Sequence, residues 1–301
     1  MNKERKKLMK ENWQSPLVSV VIPSYNHKRF LQKCFDSVAA QTYRNIEVVI
    51  VDDCSADGST SEIERLIQNV SWKSRFPQKT QFQTFTKNQG AHAALNYGIT
   101  KANGDIIALL NSDDMYHPDR IKYIVDAMQN KKSEFVFSGV EYVDESDRNV
   151  TNSHPVAQRY FCTQKLISQY PSLGFACLIC NVSISTGNFA FTKALFNRVG
   201  EFSNYRYCHD WDFLLRSILH TEPLFLEQDL YYYRFHGKNT FETLESIAEE
   251  ESTKIMTSIL SKMQVEHLQN PVAPSPLNWP SYFELFLYWF NLTRYLKAPA
   301  Y

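Results

Sequence analysis

The 301-residue sequence lacks several features that would assign it to a common functional class. Lysine plus arginine and aspartate plus glutamate both total 32, so the chain carries no net charge at neutral pH. A neutral chain has no general attraction for polyanions, which argues against nucleic-acid binding. Only nine glycines are present, and none lies in the PSYNHKR loop after the first apolar run. A GxGxxG dinucleotide-binding turn is therefore excluded there, and no P-loop ending of the Gly-Lys-Ser or Gly-Lys-Thr type occurs.

Signals for secretion are also missing. The basic block MNKERKKLMK is not followed by an apolar segment, so we interpret it as a solvated tail and not as a signal peptide. We therefore expect a cytoplasmic protein with reduced cysteines. Cys177 and Cys180 form a CxxC pair, but a zinc site would need a second pair. The apolar run at 175–182 favours a buried strand in which these thiols pack.

The first half of the chain alternates between apolar runs and amphipathic helices. Runs at 17–22, 46–51, 81–86 and 106–110 are predicted as strands, with helices between them. This order is typical of α/β proteins that build a parallel sheet from βαβ units. Ligands bind such sheets beyond the carboxyl ends of the strands.

Polar residues follow each of these strands. They are Tyr25 and Asn26, Asp52 and Asp53, Asn88 to Gly90, and Asn111 to Asp114. Adjacent carboxylates are costly to bury, so a strand that ends in Asp113 and Asp114 either opens to water or provides ligands for a cation. The alternative is a polar turn that caps the next helix. Convergence of four strand ends on one edge favours a site for a nucleotide diphosphate with a divalent metal.

The second half of the chain is less regular. A strand is predicted at 134–143, an irregular connection at 144–172, and a strand pair at 224–235. Asp210 stands at the start of an amphipathic helix, where an N-cap is its simplest role. His236 follows the strand pair, and by itself it is interpreted as a packing or surface residue and not as a ligand.

A set of motifs in this order resembles the family-2 inverting glycosyltransferases of the GT-A fold, bacterial type. The motifs are VSVVIPSYN (18–26), QTYRNIEVVIVDDCSADGS (41–59), NQGAHAALNYGI (88–99), GDIIALLNSDD (104–114), GNFAFTKALFNRVGEF (187–202), HDWDFLLR (209–216) and YYRFHGKNT (232–240). The resemblance implies a nucleotide-diphospho-sugar transferase fold, with a mixed, mainly parallel sheet flanked by helices. It implies transfer of a sugar from a UDP-sugar donor to a hydroxyl of a glycan or glycoprotein acceptor.

The resemblance also implies roles for individual residues. Pro23, Ser24, Tyr25 and Asn26 would flank the base and ribose, Asp53 would accept a hydrogen bond from uracil, and Asn88, Gly90 and Ser112 would line the same donor site. Asp113, with Asp114, and His236 would hold Mn²⁺ or Mg²⁺ against the diphosphate, which reverses the interpretation of His236 given above. Asp210 would be the general base that deprotonates the acceptor hydroxyl.

Two positions depart from the family pattern. Asn111 replaces the first carboxylate of the Asp-X-Asp motif, and His209 replaces the glutamate that precedes the base. The second position of the first motif and the base itself are retained, so neither departure indicates a dead enzyme. The main alternative is a catalytically inactive scaffold of the same fold within a glycosylation complex.

The expected organisation is a basic tail at 1–15, a GT-A domain at 16–240 and a helical extension at 241–301. Within the extension, we predict a proline-rich linker at 270–280 and an aromatic helix at 281–296. The aromatic segment is too short and too interrupted by polar residues to span a bilayer. We expect it to form a homo-oligomer, and the alternatives are packing onto the domain or a peripheral membrane contact.

Overall fold

The centre of the molecule is one mixed β-sheet. The structure is a computed structural model that describes residues 15–237, 245–265 and 267–296. Within these residues the strands are β1 (Val18–Ser24), β2 (Ile46–Asp52), β3 (Thr80–Thr84), β4 (Ile106–Leu109), β5 (Met115–Tyr116), β6 (Phe135–Val143), β7 (Ala190–Thr192) and β8 (Leu224–Arg234). Their order in the sheet is β3-β2-β1-β4-β7-β6-β8-β5.

Helices cover the sheet and fill the connections. In chain order they are α1 (Lys28–Ala39), α2 (Ser59–Gln68), α3 (Val70–Arg75), α4 (Ala91–Lys101), α5 (Arg120–Lys131), α6 (Pro155–Lys165), α7 (Leu173–Ile179), α8 (Lys193–Val199), α9 (His209–Ile218), α10 (Glu245–Val265) and α11 (Tyr282–Trp289). Short 3₁₀ turns lie at Ile167–Gln169, Thr186–Asn188 and Leu292–Tyr295.

The parallel half of the sheet agrees with the sequence pattern. β1 pairs in parallel with β2 and with β4, and β2 pairs in parallel with β3. Val20 and Ile22 pack in one hydrophobic cluster and Val21 packs in the other, so β1 is buried on both faces. A strand in that position is mostly apolar and does not alternate with polar residues, which is why these runs were recognisable. Their carboxyl ends meet at one edge.

The second half of the sheet is mixed. β7 runs antiparallel to β4 and β6, whereas β6 runs parallel to β8. β8 is one strand where a pair was predicted, because its exposed residues 227–229 form a bulge opposite Gly139 and not a turn. A Cβ added to Gly139 would lie 3.0 Å from the carbonyl oxygens of Glu227 and Gln228, so a side chain there would crowd the bulge.

Two further local predictions are wrong. Residues 173–179 form helix α7 and not a buried strand, with Phe175 and Cys177 in the core. A short apolar run that is buried on every side has no periodicity to separate helix from strand. Helix α6 occupies part of the predicted irregular connection, and Pro155 lies in its first turn, where the fixed φ of proline suits a helix.

The carboxyl-terminal helices pack onto this sheet domain. Ile255 and Ile259 of α10 and Phe286 of α11 lie in the same hydrophobic cluster as Phe213 of α9. The predicted linker at 270–280 is not a spacer. Asn270 is buried and its side-chain amide donates to the carbonyl oxygen of Ile218 at 2.9 Å, so the segment is fixed to the end of α9.

The aromatic helix is shorter than predicted and only partly covered. Phe283, Phe286 and Leu287 are buried, whereas Tyr288 and Trp289 are 74% and 61% exposed. One face therefore packs onto the domain, and self-association through the other face stays a prediction. Among the described residues, none of the helices combines the length and the hydropathy needed for a transmembrane span.

Candidate active site

A cleft of about 2460 Å³ opens beside the carboxyl ends of β1, β2 and β4. A site for one small ligand needs roughly 300–1,000 Å³, so the cleft has room for two ligands side by side. The sequence-predicted residues that line it are Pro23, Ser24, Tyr25, Asn26, Asp53, Asn88, Gly90, Ser112, Asp113, Asp210 and His236. Asp114 is not part of this lining.

The loops after β1 and β2 are joined at one end of the cleft. Asn26 has a left-handed φ of 55°, a conformation that asparagine tolerates. Its side-chain oxygen accepts a hydrogen bond from the amide of Ala56, and its own amide donates to the hydroxyl of Ser55, both at 2.8 Å. Asp52 is fully buried and accepts from the amide and the hydroxyl of Ser55. Asn26 and Asp52 therefore shape the rim of the cleft.

Asp53 ties this rim to the loop after β3. Its carboxylate accepts hydrogen bonds from the backbone amides of Gln89 at 2.7 Å and Gly90 at 2.8 Å. Gly90 has a φ of 93°, which L side chains rarely adopt. Burial raises the pKa of Asp53, and the two amides oppose that effect. Each carboxylate oxygen has a second lone pair, so the expected hydrogen bond to uracil is compatible with this geometry.

Asp113, His236 and His27 form a compact group in the cleft, which we call the His–Asp–His group. Nε2 of His236 lies 2.9 Å from Oδ2 of Asp113, and Nδ1 of His27 lies 3.7 Å from Oδ1. One ligand atom from each residue lies within 4.8 Å of the other two. Oδ1 of Asp113 is buried and accepts no hydrogen bond, which is rare for a buried carboxylate oxygen. These residues fit a metal ion.

Asp113 and the next residue, Asp114, have pKa values shifted in opposite directions. Burial opposes ionisation of Asp113, but His27 and His236 lower its pKa to about 2. Burial raises the pKa of Asp114, and the negative charge of Asp113 raises it further. The Asp114 carboxylate accepts from the hydroxyl of Tyr231 and from the backbone amide of Arg234. Asp114 therefore anchors β8 and lies outside the His–Asp–His group, and its role as a metal ligand stays a prediction.

The sheet topology explains why these distant residues meet. β5 follows Asp114 directly and pairs antiparallel with Tyr231 and Tyr232 of β8. This pairing brings the chain after β8, and with it His236, beside Asp113. Our sequence reasoning missed His27, although the strand-end loop that contains it was recognised. The sequence signal for His27 was a metal-ligating residue type directly after Asn26, in the loop that follows β1, the strand that neighbours β4.

Asp210 lies in the part of the cleft that the second half of the chain forms. Cys208 precedes α9, so Asp210 is inside the first turn and is not the N-cap. Its carboxylate accepts from the backbone amide of Trp211 at 2.7 Å and from the side-chain amide of Asn181 at 2.9 Å. Burial raises the pKa of Asp210, opposed first by His209. A carboxylate of raised pKa in a cleft suits proton transfer.

The sequence did not predict the other residues around Asp210. Asn181 follows α7, in the segment that was interpreted as a strand. The carboxyl-terminal extension also reaches this part of the cleft. Its lining residues there are Ala248, Glu249, Ser252 and Thr253 of α10, followed by Arg294 and Tyr295. The second half of the cleft is therefore built by the extension together with the sheet domain.

Comparison with known sequences gives consistent matches. A family model described as glycosyl transferase family 2 matches residues 19–193. An uncharacterized glycosyltransferase of Rickettsia typhi is 30% identical over 245 residues, which cover 80% of this chain and 71% of that protein. Glycosyltransferase GlyG of Streptococcus pneumoniae is 29% identical over 273 residues, 85% of each chain.

Comparison with solved structures supports the same assignment at the level of the fold. TarS 1-349 of S. aureus in complex with UDP-GlcNAc has a TM-score of 0.65 at 18% identity, over 92% of this chain and 72% of that chain. A longer TarS structure has a TM-score of 0.63, and this chain spans 43% of it. Mannosyltransferase PcManGT of Pyrobaculum calidifontis, in complex with GDP-Man and Mn²⁺, has a TM-score of 0.58 at 17% identity, over 86% of this chain and 70% of that one. The predicted GT-A fold is confirmed.

Proposed function

The chain belongs to glycosyl transferase family 2, and on that premise we propose that it transfers a sugar from a UDP-sugar to an acceptor hydroxyl with inversion. One observation carries the proposal. The His–Asp–His group and Asp210 line the same cleft, which has room for a donor and an acceptor together. A cation site and a basic carboxylate in one cleft supply what displacement at an anomeric carbon requires.

The donor occupies the side of the cleft at the carboxyl ends of the parallel strands. Pro23, Ser24, Tyr25 and Asn26 flank the base and ribose, Asn88 and Gly90 line the loop beside them, and Ser112 precedes the diphosphate site. The Asp53 carboxylate, already held by two backbone amides, accepts the imide N–H of uracil. This acceptor supports UDP over other donors. The named neighbours are bound to UDP-GlcNAc and to GDP-Man, so both donor classes belong in a test.

Asp113, His236 and His27 would hold a divalent metal at the diphosphate. When bound, such an ion offsets the negative charge that develops on the leaving diphosphate. Two imidazoles beside one carboxylate suit a transition metal better than they suit Mg²⁺, which prefers oxygen ligands. We therefore propose Mn²⁺ before Mg²⁺ for this site.

Asp210 accepts the proton of the acceptor hydroxyl. The backbone amide of Trp211 and the side chain of Asn181 hold its carboxylate, and burial keeps that carboxylate more basic than an exposed aspartate. As the acceptor oxygen bonds to the anomeric carbon, the bond from that carbon to the diphosphate breaks. Attack from the face opposite the diphosphate inverts the configuration. The acceptor, a glycan or glycoprotein, lies in the half of the cleft lined by α10 and Tyr295.

A donor screen tests the proposal. The protein is incubated with UDP- and GDP-sugars and glycan acceptors, with Mn²⁺, Mg²⁺ or EDTA, and release of the nucleoside diphosphate is measured. We expect release from a UDP-sugar only with metal, and NMR of the product should show the opposite anomeric configuration to the donor. Tight UDP-sugar binding without turnover of any donor would favour the inactive scaffold instead.

A further inference from the structure

Glu251 of α10 is a buried carboxylate that the proposed reaction does not use directly. Its Oε1 accepts a hydrogen bond from the backbone amide of Arg206 at 2.8 Å. Its Oε2 accepts from the backbone amides of Tyr207 and Cys208, both at 2.9 Å. Three successive amides that converge on one carboxylate form a strong anion-binding arrangement, which we call the 206–208 nest.

The 206–208 nest leads directly into the helix that carries Asp210. Cys208 is the last residue before α9, and its sulfur lies 3.6 Å from the hydroxyl of Ser252 on α10. Further along α9, Phe213 packs in the same hydrophobic cluster as Ile255 of α10. The carboxyl-terminal extension therefore holds the base-bearing helix at its start and along its buried face.

We propose that Glu251 is a positioning residue for Asp210. By fixing the 206–208 nest, it sets how deeply the first turn of α9 lies in the cleft, and so where the Asp210 carboxylate meets an acceptor hydroxyl. The inference rests on the proposed function and makes the extension part of the catalytic unit. The competing explanation is a purely structural bond that fastens α10 to the domain.

The basicity of Asp210 depends on this placement. The titratable groups that act on or sense its carboxylate are His209 on α9, Tyr160 on α6, and Tyr207 and Cys208 in the nest. Burial raises the pKa of Tyr160, and it raises those of Tyr207 and Cys208 to about 12, so these three groups are neutral near pH 7, while burial lowers the pKa of His209. Burial is therefore the main influence on Asp210, and movement of the turn towards water would lower its pKa.

Glu251→Gln tests the inference, with Glu250→Gln as the matched control. Glutamine keeps the size of the side chain, but its NH₂ group cannot accept the amide hydrogens that Oε2 now binds. Glu250 lies on the same helix, is exposed and pairs only with Lys254 among the described contacts. We expect kcat at saturating donor to fall roughly 10- to 100-fold in Glu251→Gln. The acid limb of its kcat–pH profile should move to lower pH, with the Kd for UDP unchanged and Glu250→Gln like the wild type.

Hydrogen exchange of the backbone amides at 206–208, measured by mass spectrometry, reports whether the 206–208 nest is still hydrogen-bonded and does not depend on activity. Faster exchange in Glu251→Gln is the expected result, and unchanged exchange overturns the inference. Should Glu251→Gln fail to fold, Glu251→Asp, which keeps the charge on a shorter side chain, must show the same loss of kcat and the same pH shift.

The remaining outcomes separate the two proposals. A wild-type kcat and pH profile in Glu251→Gln, while Asp210→Asn is inactive, refutes the positioning role and leaves the proposed function intact. Equal losses of kcat and of UDP binding indicate general damage and also refute it. A wild-type protein that turns over no donor refutes the proposed function, and the positioning role with it.

Discussion

Replacing Asp210 by asparagine is the most direct test of the proposed base. Asparagine retains a carbonyl oxygen that can accept from the backbone amide of Trp211. It loses the hydrogen bond from Asn181, because its NH₂ group would face another NH₂ group. It also cannot accept a proton. Loss of a general base costs roughly 10²–10⁴-fold in rate.

The structure gives a lower limit for the expected loss of rate in Asp210→Asn. Because burial raises the pKa of Asp210, its carboxylate is a stronger base than an exposed aspartate, so the loss should not fall below the lower end of that range. A factor of 10²–10⁴ corresponds to about 3–5 kcal/mol in the activation free energy. The residues proposed to bind UDP lie in the other half of the cleft, so UDP binding should not change.

The assay is release of UDP at saturating donor and acceptor, together with calorimetric titration of UDP in the presence of Mn²⁺. Glu201→Gln is the control, because Glu201 is an exposed carboxylate on the loop that precedes α9. A rate for Asp210→Asn within a few-fold of wild type would show that another group is the base. A parallel loss of UDP affinity would mean that the substitution disturbs the whole cleft.

Three further predictions concern the metal, the pH dependence and the aromatic helix. Alanine at each member of the His–Asp–His group should weaken Mn²⁺-dependent UDP binding in a calorimetric titration, and unchanged binding in His27→Ala would remove that residue from the site. A general base works only when it is ionised, and the pKa of Asp210 is raised from 3.8. We therefore expect kcat to fall with decreasing pH while an ordinary aspartate is still ionised. A kcat that stays constant down to the pH at which an ordinary aspartate is protonated contradicts the assignment. Replacing both Tyr288 and Trp289 by serine should lower the mass measured by light scattering. It should not lower the melting temperature, because both side chains are exposed. A monomeric wild-type protein would rule out self-association through this helix.

The parallel half of the fold could be predicted from local pattern. Its strands are buried on both faces, so the runs at 17–22 and 46–51 are apolar except for Ser19 and Glu47, which bond to each other, and the runs stand out against their surroundings. The polar residues that follow them must then meet, because the carboxyl ends of parallel strands share one edge. This is why Asn26, Asp53 and Asp113 could be placed together in advance.

The segments that were misjudged are those where burial depends on distant parts of the chain. Helix α7 is covered on all sides, so its sequence has no amphipathic period, and an apolar run of its length is compatible with a strand. Prolines at 270–280 suggested a spacer, but Asn270 is buried because α9 provides a hydrogen-bond acceptor for it. Composition predicts neither the burial of α7 nor the hydrogen bond between Asn270 and the end of α9.

The candidate site shows the same division. Apart from the family motif, which selects Asp113, the local sequence gives Asp113 and Asp114 the same place after one strand. The tertiary structure separates them, because β8 supplies two hydrogen-bond donors to Asp114 while the loop after β1 and the end of β8 place two imidazoles beside Asp113. Asp210 was recognisable from its motif, but its partner Asn181 and its raised pKa were not. Motifs identify the chemical groups, whereas their ionisation and partners depend on long-range packing, since solvent exclusion and distance govern electrostatic interactions.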